Sequence, residues 1–188
     1  MSFLGPEVPP SRSTWFRQSD RRFPFLWDAS TQSAARWHAD GEGPVQYLAD
    51  TPDGAWAEFL RHEGITEAVD LQGVRRSLWA IEVADEAEIV ARPTLDHATV
   101  HGDRSSYPAC RAEARRLRAS GATALEAPSA ALAKGAAGGA CVRGGLVDGP
   151  PRDGRVLALF GPRPDLCGWR CAVDCSLEDR LLRLVRHF

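Results

Sequence analysis

The sequence has no long apolar run and no excess charge of one sign. No stretch approaches the roughly 18 or more apolar residues that a membrane-spanning helix needs. The first residues lack the basic start and apolar core of a secretion signal, so we expect a cytoplasmic protein. The 23 lysines and arginines are matched by 25 aspartates and glutamates, which leaves a net charge of -2. This balance gives no electrostatic reason to bind nucleic acid or an anionic membrane directly.

Cysteine is scarce and odd in number. The 5 cysteines in a chain of 188 residues do not form the even, closely spaced pattern of a disulfide framework. Cys167, Cys171 and Cys175 recur every four residues, but a structural zinc site needs a further pair of ligands, which the sequence does not supply. We therefore expect no metal site and interpret the cysteines as buried free thiols.

The common nucleotide and hydrolase motifs are also absent. The glycine-rich stretch 135–149 contains no Gly-Lys-Ser or Gly-Lys-Thr, and no Gly-x-Gly-x-x-Gly lies between a strand and a helix. No Gly-x-Ser-x-Gly elbow is present to make a serine nucleophile. The sequence therefore excludes a P-loop, a Rossmann dinucleotide site and an α/β-hydrolase triad.

The length and the pattern of elements predict one α+β domain. We expect a mobile tail over residues 1–13, which are rich in proline and serine, and a single domain over 14–188. We interpret Ala130 to Gly154 as a flexible loop, because alanine, glycine and proline dominate it. Apolar alternation and capping signals predict strands at 15–17, 45–49, 77–83, 122–127 and 155–160, and helices at 51–62, 110–119 and 177–185.

An evenly spaced trio, Arg36, Tyr47 and Glu58, surrounds a predicted strand-to-helix corner. Thr51 is the expected N-cap of the helix, so Glu58 lies about two turns into it, close to Tyr47 on the preceding strand. A cation, an aromatic ring and a carboxylate meet the needs of a pocket that cleaves the N-glycosidic bond of NAD. The cation binds the pyrophosphate, the ring faces the nicotinamide, and the carboxylate stabilises the positive charge that develops on the ribose.

Each candidate residue also has an ordinary structural interpretation. Glu58 suits a solvated helix face, Arg36 a surface position, and Tyr47 a place in the core. Arg17 suits either a second pyrophosphate contact or a salt bridge at a strand end. Ser129 suits a turn or a position that bonds the substrate or Glu58. Arg111, Arg115 and Arg118 share one helical face, which suits solvent or an acidic partner.

The residues around the trio resemble the RES domain family. The similar segments are Trp15-Phe16-Arg17, Arg36-Trp37, Tyr47-Leu48-Ala49, the helix that carries Glu58, Pro128-Ser129 and Val156 to Phe160. The resemblance implies a fold similar to the ADP-ribosyltransferases, with a mixed β-sheet core and flanking helices. It also implies catalytic roles for Glu58, Arg36, Tyr47 and Ser129, and substrate contacts from Arg17, Trp37 and His38.

The resemblance further implies a toxin-type enzyme that consumes NAD as a substrate and uses no resident cofactor. It would release nicotinamide and transfer ADP-ribose to inorganic phosphate or water. An antitoxin protein would cover the cleft, and a homo-oligomer is compatible with that arrangement. Two alternatives stay open: a mono-ADP-ribosyltransferase that modifies a protein, and a catalytically silent interaction module.

Overall fold

The computed structural model describes residues 11–29 and 31–188. Most of the tail expected at 1–13 lies outside these residues. The first strand, β1, spans Arg12–Ser19, so regular structure begins two residues before the predicted start of the domain at Thr14.

Residues 11–29 and 31–188 contain nine strands and three α-helices, which include the five predicted strands and the helices predicted at 51–62 and 110–119. The strands are β1 and then β2 (Val45–Ala49), β3 (Arg76–Ala84), β4 (Val90–Ala91), β5 (Ala124–Pro128), β6 (Ala140–Val142), β7 (Leu146–Asp148), β8 (Arg155–Phe160) and β9 (Cys167–Cys175). The α-helices are α1 (Pro52–Glu63), α2 (His97–His101) and α3 (Tyr107–Ala119). Short 3₁₀ segments lie at Ala68–Leu71, Asp85–Ala87, Arg104–Ser106 and Asp179–Leu184. In the described ranges, no helix has both the length and the hydropathy needed to span a bilayer.

Seven of the strands form one mixed sheet in the order β4-β5-β8-β2-β1-β3-β9. Only the β4 and β5 pair is parallel, and the other neighbours are antiparallel. The buried residues of α1, including Leu60, pack on one face with Ala49 of β2 and Leu78 of β3. Trp15 and Ile81 belong to a separate cluster with other sheet residues. This arrangement confirms a single α+β domain with a large mixed sheet.

The two halves of the sheet meet at a narrow join. β1 and β2 pair only at Phe16 and Ala49, whereas β1 pairs with β3 from end to end and β2 does the same with β8. Arg17 on β1 and Tyr47 on β2 lie on the two sides of this join, and Arg17 crosses it by donating a hydrogen bond to Gln46 of β2.

Two predictions about the second half of the chain are wrong, and one strand was missed. The helix predicted at 177–185 is a 3₁₀ segment, Asp179–Leu184, after which Val185 pairs with Leu132 as extended chain. The stretch predicted as a flexible loop contains the β6 and β7 hairpin, and its first residues are buried in the core. The edge strand β9 was not predicted, because Gly168, Arg170 and two register shifts against β3 interrupt its alternation.

The prediction for the cysteines is correct about pairing and largely wrong about burial. All five thiols are free, but only Cys110 is buried. Cys167 and Cys171 are exposed because they lie on β9, the edge strand. Within the described part of the chain, no group of three or more histidine, cysteine or acidic residues is arranged to hold a metal ion.

Candidate active site

The corner between β2 and α1 forms as its sequence predicts. The Thr51 hydroxyl accepts a hydrogen bond from the Gly54 amide at 3.0 Å and caps the helix, and Pro52 occupies its first turn. The Asp50 carboxylate accepts from the Arg155 amide at 2.9 Å, which ties the corner to β8. Gly64, with φ of 68°, ends the helix in the left-handed region. These contacts fix both ends of α1, the helix that carries Glu58.

Glu58 and Ser129 form a hydrogen-bonded pair. The Ser129 hydroxyl donates to Oε1 of Glu58 at 2.8 Å, and it accepts from the Leu132 amide at 3.0 Å. β5 ends at Pro128 and so delivers this serine, which is buried, from a strand 71 residues away in sequence. Burial raises the pKa of Glu58, while the Ser129 hydrogen bond and the charges of Arg36 and Arg61 act in the opposite direction. The carboxyl group thus lies in a desolvated place among cations.

Arg36 is buried beside this pair. One of its terminal nitrogens donates to the Gly102 carbonyl at 2.8 Å, and the other donates to the Ser106 hydroxyl at 3.1 Å. The guanidinium also lies over the Tyr107 ring, 4.6 Å from its centroid. Its charge lowers the pKa of Glu58, so the two groups are electrostatic neighbours.

The Tyr47 hydroxyl is already occupied by the turn that carries Arg36. It accepts from the Trp37 amide at 3.0 Å and lies 2.9 Å from Nδ1 of His38. Burial raises the pKa of Tyr47, so the phenol keeps its proton at neutral pH. Tyr47 therefore anchors the turn through its hydroxyl, which leaves only its ring available to a ligand.

Two residues predicted as substrate contacts are buried. The Trp37 indole, 2% exposed, packs among apolar residues that include Val45 and Cys110. The His38 ring is fully buried, and burial lowers its pKa, so it is neutral at physiological pH. Both residues belong to the turn that carries Arg36, which is buried as well. Their roles as substrate contacts stay predictions.

Arg17 lies on β1, the strand next to β2 in the sheet. Its Nη1 donates to Oε1 of Gln46 at 3.0 Å, and the same oxygen accepts from the Trp27 amide at 2.7 Å. Burial and the nearby charge of Arg76 lower the pKa of Arg17 to about 10, so it remains a cation at neutral pH. The acceptor of the Arg17 hydrogen bond is the neutral amide of Gln46. Among the described residues Arg17 forms no salt bridge, which is what the alternative interpretation of Arg17 required.

Arg61 is a site residue that sequence reasoning missed. It is buried, 4% exposed, and it follows Glu58 by three residues on α1, so the two side chains share a helical face. The available signal was an arginine on the same helical face as Gly54 and Ala57, which are buried. Its charge also lowers the pKa of Glu58.

Three arginines of α3 bind the loop on both sides of Arg36. Arg111 donates to the Ala35 carbonyl at 2.8 Å, Arg115 pairs with the Glu42 carboxylate at 3.0 Å, and Arg118 donates to the Glu42 carbonyl at 3.1 Å. This helical face therefore contacts the loop around Arg36, although the Arg115 side chain stays half exposed to solvent.

The candidate site holds more positive than negative charge. Arg36 and Arg61 are buried and Arg17 is half-buried. In the described chain they donate hydrogen bonds to amide, hydroxyl and carbonyl oxygens and to the Cys110 thiol, none to a carboxylate. The carboxylate within their reach is Glu58, whose pKa is raised. Because uncompensated buried charge is costly, the arrangement favours an anionic ligand.

The fold and site define a class of protein: a single α+β domain in which a desolvated carboxyl group, Glu58, lies near several arginines. The family comparison agrees with this description, because residues 11–142 match the RES domain and include all the site residues described above. The chain belongs to the RES domain family.

A solved structure shares the fold. It is the crystal structure of the MbcT-MbcA toxin-antitoxin complex of M. tuberculosis, with a TM-score of 0.60 and 18% sequence identity. The match covers 93% of this chain and 88% of that one. No curated protein matches the chain.

Proposed function

We propose that the protein cleaves the bond between nicotinamide and ribose in NAD and transfers the ADP-ribosyl group to phosphate or water. The observation that carries this proposal is the Glu58 and Ser129 pair, 2.8 Å apart and desolvated, beside buried arginines bonded to neutral oxygens. The pyrophosphate of NAD supplies negative charge that balances the arginines. The ribose carbon is where positive charge develops during cleavage, close to Glu58. It is the substrate, and no resident cofactor takes part.

The roles of the residues follow from their contacts. Arg36 and Arg17 bind the pyrophosphate oxygens, because both donate to neutral oxygens in the described chain. The ring of Tyr47 faces the nicotinamide, since its hydroxyl is occupied by the turn. Ser129 holds Glu58 in one orientation and favours its ionised form.

The chemistry requires little proton transfer. The bond from the anomeric carbon to the nicotinamide nitrogen breaks, its electron pair stays on nitrogen, and the leaving group becomes neutral. The ribose carbon gains positive character, which ionised Glu58 stabilises at short range in a poorly solvated site. The acceptor oxygen then bonds to that carbon and releases its proton to solvent.

We also propose that an antitoxin protein covers the cleft. The RES domain fold and the similarity to the toxin in the MbcT-MbcA toxin-antitoxin complex support this partner. A partner that inserts an acidic group between Arg17 and Arg36 would compensate the same charges that NAD does.

The test is to incubate the purified protein with NAD, with and without phosphate. Free nicotinamide is followed by chromatography and the ADP-ribosyl product by ³¹P NMR. We expect nicotinamide release in the wild type and its loss in Glu58→Gln, with Glu63→Gln as the matched control, because Glu63 is exposed on the same helix. Equal release by wild type and Glu58→Gln, or none by the wild type, overturns the proposal. In the second case a protein acceptor or a silent interaction module becomes the better explanation.

A further inference from the structure

Arg61 connects the helix that carries Glu58 to two other parts of the chain. Its Nη2 donates to the Gly102 carbonyl at 2.9 Å and to the His101 carbonyl at 3.1 Å, and its Nη1 donates to the Ala130 carbonyl. The nearest of these carbonyls in sequence lies 40 residues from Arg61. A single guanidinium therefore joins α1, the end of α2 and the chain that follows β5.

The Gly102 carbonyl is shared by Arg61 and Arg36. A terminal nitrogen of each side chain donates to this one oxygen, at 2.9 Å from Arg61 and 2.8 Å from Arg36. A carbonyl oxygen has two lone pairs and accepts from both. The backbone here is tightly packed, because a Cβ at Gly102 would lie 2.9 Å from the Ala98 carbonyl oxygen and from the Ser106 Cβ. Arg61 thus sets the place of Arg36 relative to α1.

The Ala130 carbonyl belongs to the residue that follows Ser129. The Ser129 hydroxyl donates to Glu58 at 2.8 Å, so this segment is bound to α1 twice, once directly and once through Arg61. The same hydroxyl accepts from the Leu132 amide at 3.0 Å, which closes a turn around Ala130. A fixed Ala130 carbonyl holds this turn, and with it the serine hydroxyl, against α1.

Arg61 makes these contacts at the expense of stability. Its side chain is 4% exposed, and its Nε has no hydrogen-bond partner in the part of the chain that the structure describes. Burial, and after it the charge of Arg36, lowers the pKa of Arg61. A buried cation without a hydrogen-bonded carboxylate is less favourable than an apolar side chain of similar volume. Filling space does not account for such a residue, whereas a link between carbonyls needs both of its terminal nitrogens.

We propose that Arg61 is a positioning residue, which fixes the distances among the groups of the proposed active site through these backbone carbonyls. The groups are Arg36, Ser129 and Glu58, and the inference rests on the proposed function. Arg61 acts without touching NAD, because the carbonyls occupy its terminal nitrogens and the Phe188 ring lies over its guanidinium, 4.2 Å from centroid to Cζ. A lysine keeps the charge but lacks the planar fork that reaches two segments at once.

The first test needs no NAD. Amide hydrogen exchange is measured by NMR in the wild type and in Arg61→Lys. The Leu132 amide reports on the turn after β5, and the Ser106 amide, which donates to Asp103, reports on the chain after α2. We expect both amides to exchange about tenfold faster in the variant, while the Ala55 amide of α1 keeps its protection.

Arg76→Lys is the matched control, because Arg76 also packs on α1, with its Cζ 4.6 Å from the centroid of the Phe59 ring. It should leave the exchange of the Leu132 and Ser106 amides as in the wild type. In NAD kinetics, kcat should fall about a hundredfold in Arg61→Lys and KM should rise, since misplaced groups weaken both catalysis and binding. Arg76→Lys should keep the wild-type kcat and KM.

Unchanged exchange at Leu132 and Ser106 in Arg61→Lys overturns the proposal, and so does faster exchange throughout α1, which marks a purely structural arginine. If the variant does not fold, the wild type carries the test. The Nη protons of Arg61 should give separate, slowly exchanging NMR signals, and averaged signals like those of the exposed Arg143 would contradict the link. Faster exchange confined to the two segments, without nicotinamide release by the wild type, supports the link and overturns only the proposed function.

Discussion

At the scale of single residues, the environment of Glu58 decides the chemistry. Its carboxyl group is desolvated, which raises its pKa, and one hydroxyl with two cationic neighbours partly restores the ionised form. A glutamate on the exposed part of the same helix, such as Glu63, has none of these contacts. The difference between a solvated and a reactive carboxylate therefore lies in what surrounds it.

This environment predicts a pH dependence of NAD cleavage. The ionised carboxylate is the active form, so kcat/KM should fall as the pH drops through the pKa of Glu58, at a pH above the ordinary carboxyl range. Ser129→Ala removes a hydrogen bond that lowers this pKa, so the acidic limb of the profile should move to higher pH. Steady-state kinetics between pH 4 and 9 would show it. An unmoved limb in the variant would mean that a different group titrates.

The hydrogen bonds of the Tyr47 hydroxyl lead to a second prediction at the scale of single residues. Tyr47→Phe removes the acceptor of the buried Trp37 amide and the partner of His38, so the free energy of unfolding should fall by about 1–3 kcal/mol. The turn that carries Arg36 should also loosen, which raises the KM for NAD more than it lowers kcat. Urea unfolding and kinetics test the two halves, and wild-type stability in the variant would argue against the anchoring role.

At the scale of elements, helix-capping residues predict the structure best, because they act on backbone groups only a few residues away. The N-cap Thr51, the first-turn Pro52 and the left-handed Gly64 set both ends of α1, and all three are readable without a structure. The segment 177–185 has an equally helical apolar pattern, but pairing of Val185 with Leu132 overrides it. Contact with distant chain outweighs periodicity in such a short segment.

The cap of α1 gives a prediction at the element scale. Thr51→Ala removes the acceptor for the Gly54 amide and should lower the free energy of unfolding by about 1 kcal/mol. Thr51→Ser keeps that acceptor and is the control. Because Glu58 is placed by this helix, we also expect lower NAD turnover in the alanine variant. Chemical denaturation curves with an unchanged midpoint would show that the cap does not support the corner.

At the scale of the whole molecule, the site depends on the join between two half-sheets. Arg17 comes from the β1 half and Tyr47 and Glu58 from the β2 half and its helix, and the halves pair at one position only. A ligand that contacts both Arg17 and Glu58 therefore bridges the two halves. The two residues come together only after the sheet has formed.

Ligand binding across the join should stabilise the whole fold. ADP-ribose, which carries the pyrophosphate without the reactive bond, should raise the free energy of unfolding by about 2.7 kcal/mol at a hundred times its Kd. Arg17→Ala and Arg36→Ala should each lose most of that stabilisation, since each removes a cation from one side. Thermal shifts with and without ADP-ribose measure this. Retention of the shift in both variants would place the pyrophosphate elsewhere.

The sequence alone determined the mixed α+β class, the β2 to α1 corner and the presence of Arg36, Tyr47, Glu58 and Ser129, because these depend on local pattern and on family resemblance. Only the tertiary structure decided that Ser129 bonds to Glu58. It also decided that Trp37 and His38 are buried and that Arg61 belongs to the site. The reason is sequence distance: the Arg36 contact with Gly102 joins residues 66 positions apart, and no local rule contains such a contact.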